Sequence, residues 1–173
     1  KVTLVYKFTS DIAVGGCRLA LESSEYASVT FNKKAVKMQS DGWYVDEDSL
    51  KTFPIPPIKK GENTLVIEYR FGNVTQLEAC FILGDFGTKV CGSNVFVTKM
   101  PAKLGFDDIT SQGLAFSGGN VTYLEKYTSD GDGNKIIEIN KYRGSVITVD
   151  VDGRRAGTIA YPPYRLPLGK LPK

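Results

Sequence analysis

The sequence predicts an all-β fold, an antiparallel β-sandwich of jelly-roll type. Short stretches rich in Val, Ile, Thr, Tyr and Phe alternate apolar with polar residues, the period of a half-buried strand. Clusters of Gly, Pro, Asn and Asp interrupt these stretches at frequent intervals, as the turns of a sandwich require. No segment sustains helical periodicity, and Asp107 to Gln112 has room for one turn at most.

Residues 2 to 9, VTLVYKFT, alternate and form the first predicted strand. Ile12 to Gly16 is a loop, after which CRLALES resumes an extended run. Ala27 to Phe31 is a short strand with Val29 and Phe31 on one face, closed by a turn at Asn32-Lys33-Lys34. GWYVDEDSLKTFPIPPIKKGENTLVIEYRF, residues 42 to 71, carries the only tryptophan and a proline-broken apolar segment. It turns at Lys60-Gly61-Glu62-Asn63 into a strand with Leu65, Ile67, Tyr69 and Phe71 at period two. Gln76 to Leu83 aligns Leu77, Ala79, Phe81 and Leu83, Gly84-Asp85-Phe86-Gly87 breaks it, and Asn94 to Thr98 is a shorter strand. Residues 98 to 120 show little alternation and are the best candidate for a linker. Leu104, Phe106, Leu114 and Phe116 distinguish this stretch from a flexible Gly/Ser tether and give it the means to pack down.

The second part of the chain repeats the first. VTYLEKYTSD at 121 to 130 matches VTLVYKFTSD at 2 to 11 in six of ten positions. KIIEIN then follows where CRLALE followed, and ITVDVDGRR takes the place of SVTFNKKAV, with Val149, Val151 and Asp152 against Val29, Phe31 and Asn32. YRLPLGKLPK matches KTFPIPPIKK, placing Leu166, Pro167, Leu168 and Lys173 against Phe53, Pro54, Ile55 and Lys60. Similarity in fixed order at a long offset implies two copies of one structural unit. The expected division is residues 1 to 97 for the first unit and 98 to 173 for a linker and second unit, with one continuous sandwich as the alternative. The second copy reaches Lys173 before the counterpart of GENTLVIEYRF, so its core strand is expected from a longer polypeptide or from another segment.

With 173 residues and 42% hydrophobic content, the chain can bury a sizeable core. A formal charge of +3 from scattered basic residues does not point to nucleic acid, and no apolar run has the length of a membrane-spanning helix. Cys17 and Cys80 lie in apolar runs and are expected as buried thiols, while a Cys80–Cys91 bridge stays open. The sequence has neither a close cysteine pair nor a histidine, so no metal site or other cofactor is expected. The sequons at Asn73 and Asn120 would matter only in a eukaryotic secretory setting. Asp130-Gly131-Asp132-Gly133-Asn134 resembles the start of a calcium loop, but Lys141 stands where the acidic twelfth residue belongs, so a hairpin or glycine-rich loop joining strands on either side is expected.

VTFNKKAV and VDVDGRRAG, with GWYVDED, KKGENTLVIEY, QLEACFILGDFG, SQGLAFSGGNVTY and YPPYRLPLG, resemble the galactose-binding-like jelly-roll domains of multidomain glycoside hydrolases. The likeness is to family 2 and alpha-L-rhamnosidase-like enzymes. Lys33 departs from that pattern, standing where the turn glycine would be. The resemblance implies a non-catalytic, carbohydrate-binding-like module of a larger enzyme, whose partners are a poly- or oligosaccharide and other domains of the same polypeptide. The candidate sugar contacts are Trp43 and Tyr44, with Tyr161 and Tyr164 in the second copy, whose rings would stack on sugar faces. Asp46, Glu47, Asp48 and Arg165 would take the hydroxyls. The alternative is a structural or protein-interaction sandwich in which Trp43 plugs the end of the sandwich and the tyrosines anchor loops. Exposure of Trp43 or Tyr161 in a concave, polar-rimmed patch favours the sugar, and burial of both favours bracing. No spacing singles out a carboxyl pair for glycoside hydrolysis, and without histidine there is no Ser-His-Asp arrangement.

Overall fold

The computed structural model describes residues 1 to 173 except 47 to 49, 74, 76, 78 and 79, so Glu47, Asp48 and Ala79 lie outside the described residues. The chain forms two compact units, Lys1–Val121 and Thr122–Lys173. Residues 98 to 121 thus belong with the first unit, where the sequence places a linker and the start of the second. They are tied down through Thr88, whose N–H donates to Gly113 O at 2.6 Å and which forms a parallel bridge with Leu114. Leu104 and Leu114 are half-buried, whereas Phe106 and Phe116 are exposed.

The first unit is an all-β sandwich, as expected. Its strands are β1 (Val2–Ser10), β2 (Arg18–Leu21), β3 (Ala27–Phe31), β4 (Lys34–Ala35), β5 (Gly42–Tyr44), β6 (Leu50–Pro54), β7 (Gly61–Tyr69), β8 (Cys80–Leu83), β9 (Gly87–Cys91) and β10 (Asn94–Thr98). One sheet runs β4-β3-β7-β1-β10-β9 and the other β5-β6-β2-β8. Among the described residues these strands pair antiparallel except β1 with β10. Leu19, Leu21 and Phe53 from the smaller sheet and Val29, Phe31, Leu65, Ile67, Tyr69 and Val97 from the larger share one core, which Cys17, Ile55 and Ile58 help to close. Each such side chain contributes about 1.5–3 kcal/mol when fully buried. Cys17 is buried, Cys80 is half-buried against the core, and both are free thiols, as is the exposed Cys91.

β7 is the centre of the larger sheet because its two edges are both used. Tyr69, Ile67 and Leu65 pair with Val2, Leu4 and Tyr6 of β1 on one side and with Ala27, Val29 and Phe31 of β3 on the other. The strand ends at Tyr69, so Phe71, predicted to continue the alternation, is outside it and 55% exposed. Before the strand, Gly61 adopts φ +94°, and the buried Asn63 side chain closes the loop by accepting from Lys59 N–H (3.0 Å) and donating to Lys59 O (2.8 Å) and Gly61 O (3.0 Å). Asn32 Nδ2 donates to Asn63 Oδ1 at 2.8 Å, and Thr64 N–H donates to Asn32 Oδ1 at 3.0 Å. The β3–β4 turn and the β7 entry are therefore pinned side chain to side chain. Asn32 and Lys33 sit at φ +49° and +67°, the positive pair of a type I′ hairpin, with Lys33 in the place usually taken by glycine.

In β8 the face turned to the core is Cys80 and Ile82. Phe81, aligned in the sequence with Leu77 and Leu83, is instead 45% exposed on the opposite face. β9 is a strand the alternation did not predict, and it forms a hairpin with β10 through Gly92 at φ +61°.

The second unit holds β11 (Lys135–Glu138), β12 (Ile147–Val151), β13 (Arg154–Ile159) and β14 (Arg165–Gly169). β11 pairs with β14 and β12 with β13. The strand predicted at 121 to 130 is not formed, since residues 115 to 134 contain no strand. Residues 130 to 134 therefore form a glycine-rich loop before β11 and not a hairpin, with Lys135 Nζ donating to Asp130 Oδ1 at 2.7 Å. What does repeat is the pairing. Ile136 pairs with Pro167, Ile137 with Leu166 and Glu138 with Arg165, where the first unit pairs Arg18 with Pro54, Leu19 with Phe53 and Ala20 with Thr52. Asp152 and Gly153, at φ +50° and +77°, repeat the turn of Asn32 and Lys33.

Candidate functional site

The outer face of the smaller sheet, opposite the core, carries the candidate site. Directly paired residues on neighbouring antiparallel strands project from the same face. That rule puts Arg18, Pro54 and Leu83 in one row and Phe81, Ala20, Thr52 and Gly42 in the next. Two residues beyond Gly42 on β5, Tyr44 joins the same face. The rings of Tyr44 and Phe81 lie 5.5 Å apart at 52°, and Ala20, paired with Phe81 in the sheet, is fully buried.

Beside this aromatic pair is a cleft of about 490 Å³, lined among others by Arg18, Asp41, Trp43, Thr52, Leu83 and Asp85. Arg18 Nε donates to Asp41 Oδ2 at 2.6 Å, Thr52 Oγ1 donates to Asp41 Oδ1 at 2.7 Å, and Asp41 N–H donates to Thr52 O at 3.0 Å. The hydrogen bond from Arg18, then that from Thr52, holds the Asp41 carboxyl below the usual carboxylate range. Asp41 in turn pushes the Arg18 guanidinium up. The cleft thus presents a fixed cation and a fixed anion at neutral pH. Asp41, committed as an anion, suits accepting hydroxyl protons in hydrogen bonds and not delivering a proton to a leaving group. Gly84 at the wall is required by space, since a Cβ there would lie 2.9 Å from both Cys17 Sγ and the Phe86 ring.

The expected sugar contacts divide. Trp43 is 40% exposed and borders the cleft. It pairs with Lys51, which pairs with Leu21, so its ring leaves the sheet on the other face from Tyr44, with Lys51 Nζ 5.7 Å from the ring centroid. It therefore does not serve as the cleft's stacking floor. Tyr44 occupies that face, and Asp46 is exposed in the bend after β5. Tyr161, Tyr164 and Arg165 belong to the second unit. Tyr161 is 78% exposed, the Tyr164 ring meets Tyr142 edge-on at 5.1 Å, and Arg165 Nη2 donates to Glu138 Oε1 at 2.9 Å. β14 repeats β6, so Tyr164 stands at the position of Lys51 and not at that of Trp43. Arg18, Asp41, Thr52, Phe81 and Asp85 were not singled out by sequence. They are scattered over four segments, and only the sheet register assembles them.

Among the described residues no group of three or more acidic or cysteine side chains could hold a metal ion. No helix among them is long and apolar enough to cross a membrane. No family model, curated protein or solved structure matches the chain.

Proposed function

We propose that the first unit is a non-catalytic carbohydrate-binding module of a larger glycoside hydrolase, binding sugar on the outer face of the β5-β6-β2-β8 sheet. One observation carries the proposal. A paired aromatic surface, Tyr44 with the 45% exposed Phe81, stands on the same face as a cleft whose polar wall is Arg18, Asp41 and Thr52. A pyranose ring has an apolar face that stacks on aromatics and a rim of hydroxyls that both donate and accept. Arg18 offers donors and Asp41 and Asp85 acceptors, so the two requirements meet on one surface. The resemblance to galactose-binding-like domains agrees with this reading.

The test is a glycan-binding screen with the whole chain, followed by titration of any hit against variants. Binding should weaken at least tenfold, about 1.4 kcal/mol, in Phe81→Ala and in Arg18→Ala, and should be unchanged in Tyr161→Ala. A folded chain that binds no glycan, or a glycan held equally well by the Phe81 and Arg18 variants, would refute the proposal.

A further inference from the structure

The second unit buries very little. Of residues 122 to 173 only Ile159 is buried, while Leu124, Tyr127, Ile136, Val146 and Tyr161 are each at least half exposed. Exposed apolar surface of this kind marks a face that expects a cover.

The first unit shows what the cover is. There, β3 has β4 on one edge and β7 on the other. In the second unit β12 and β13 repeat β3 and β4 down to the positive-φ turn, but β12 pairs with β13 alone. VTYLEKYTS, the counterpart of β1, forms no strand. Ser129 nonetheless keeps the local bond of its counterpart, taking Gly131 N–H at 3.1 Å as Ser10 takes Ile12 N–H at 3.4 Å. Residues 122 to 173 thus duplicate both neighbours of β7 and hold no counterpart of β7 itself.

We infer that the second unit is a strand acceptor: it binds one extended polypeptide strand with the pattern of β7, between β12 and residues 122 to 130. The occupant is specified chemically. It has apolar side chains at alternate positions, as at Leu65, Ile67 and Tyr69, to meet Val149 and Val151, which stand where Val29 and Phe31 receive them. Its backbone N–H one residue before the first of these would donate to the Asp152 carboxylate, as Thr64 N–H donates to Asn32 Oδ1. Charge also fits. The unit carries nine Lys and Arg against six Asp and Glu, while β7 itself carries Glu62 and Glu68 and no cation. A second copy of the chain cannot supply this strand intact, because β7 is already paired along both edges in the first unit.

The probe is a synthetic peptide of residues 61 to 69 with blocked ends, the acidic β7 strand itself, added to the whole chain. Binding is followed by fluorescence anisotropy and its place by hydrogen–deuterium exchange. The expected result is saturable one-to-one binding that slows exchange at least tenfold at residues 122 to 130 and 147 to 151. A peptide carrying Ile67→Asp should not bind, a control that leaves the protein's fold untouched. Absence of binding, equal binding by the substituted peptide, or protection confined to residues 1 to 121 would each overturn the inference. So would sedimentation showing a dimer in which 122 to 130 and 147 to 151 are already protected.

Discussion

Replacing Asn63 with alanine isolates what pins the larger sheet. The side chain is 1% exposed, accepts from Lys59 N–H and Asn32 Nδ2, and donates to the carbonyls of Lys59 and Gly61. Asn63→Ala removes all of these at once. A net hydrogen bond is worth about 1 kcal/mol, and a buried group left without a partner costs about 1–3 kcal/mol. Lys59 is exposed and Gly61 half-buried, so water replaces part of what is lost there. The expected destabilisation is therefore about 2–4 kcal/mol, a large share of the ~5–15 kcal/mol that holds a typical domain. Urea unfolding followed by Trp43 fluorescence reads the first unit alone, since the chain has one tryptophan. With an m-value of ~2 kcal/mol/M the midpoint should fall by roughly 1–2 M. Asn32→Ala tests the partner, and the double variant should cost less than the sum by about 0.5–3 kcal/mol. A midpoint shift below ~0.5 M for Asn63→Ala, or strict additivity with Asn32→Ala, would show that the pin is not what holds the β7 entry.

Other outcomes follow from the same contacts. Gly87→Ala should destabilise the first unit and speed amide exchange at Thr88, because a Cβ there would lie 2.7 Å from Lys99 O and 3.0 Å from Gly113 O; unchanged exchange would show that the backbone yields freely. Phe31→Ala, at a site with no exposed surface, should cost about 3–5 kcal/mol by urea unfolding. Tyr69 is raised from 10.0 to about 12, chiefly by burial and then by Cys80, Tyr6 and Glu22. The folded state thus favours the neutral phenol, so its contribution is full below pH 10 and drains away as pH rises toward 12. Tyr69→Phe should flatten that alkaline decline in Tm, and an unchanged decline would place its cause elsewhere. Asp41 has the opposite sign: its depressed value adds stability above the ordinary carboxylate range that is lost as pH falls below it, and Asp41→Asn should remove that acid dependence from Tm measured between pH 5 and 2.

The strands legible in the sequence are those with one face in the core. β1, β3, β7 and β10 alternate because their partners demand it, and Leu65, Ile67 and Val29 declare the buried face residue by residue. β9 escaped because GTKVC has one buried residue, Gly87, a half-buried Thr88 and no apolar side chain turned inward. The strand expected at 121 to 130 shows the converse. Its residues carry the pattern of β1, but a strand also needs a neighbour for its backbone, and residues 122 to 173 hold no counterpart of β7 to supply one. The site was less legible than the fold. Trp43 and Tyr44 are conspicuous by type, yet parity along β5 sends them to opposite faces. Arg18 and Asp41 meet across 23 residues of sequence with no local motif to mark either.

The position of β7 also governs when the sheet can exist at all. β1 pairs with β7 from Val2–Tyr69 to Ser10–Gly61, so β1 has to wait for a partner more than fifty residues downstream. At a synthesis rate of about 5–20 residues per second, that wait lasts roughly 3–13 s on a ribosome. Topologies dominated by such distant pairings fold in about milliseconds to seconds even as free chains. Through that interval Leu4, Tyr6 and Phe8 are in water on an unpaired strand, and the nascent chain depends on whatever shields VTLVYKFTS until GENTLVIEY arrives.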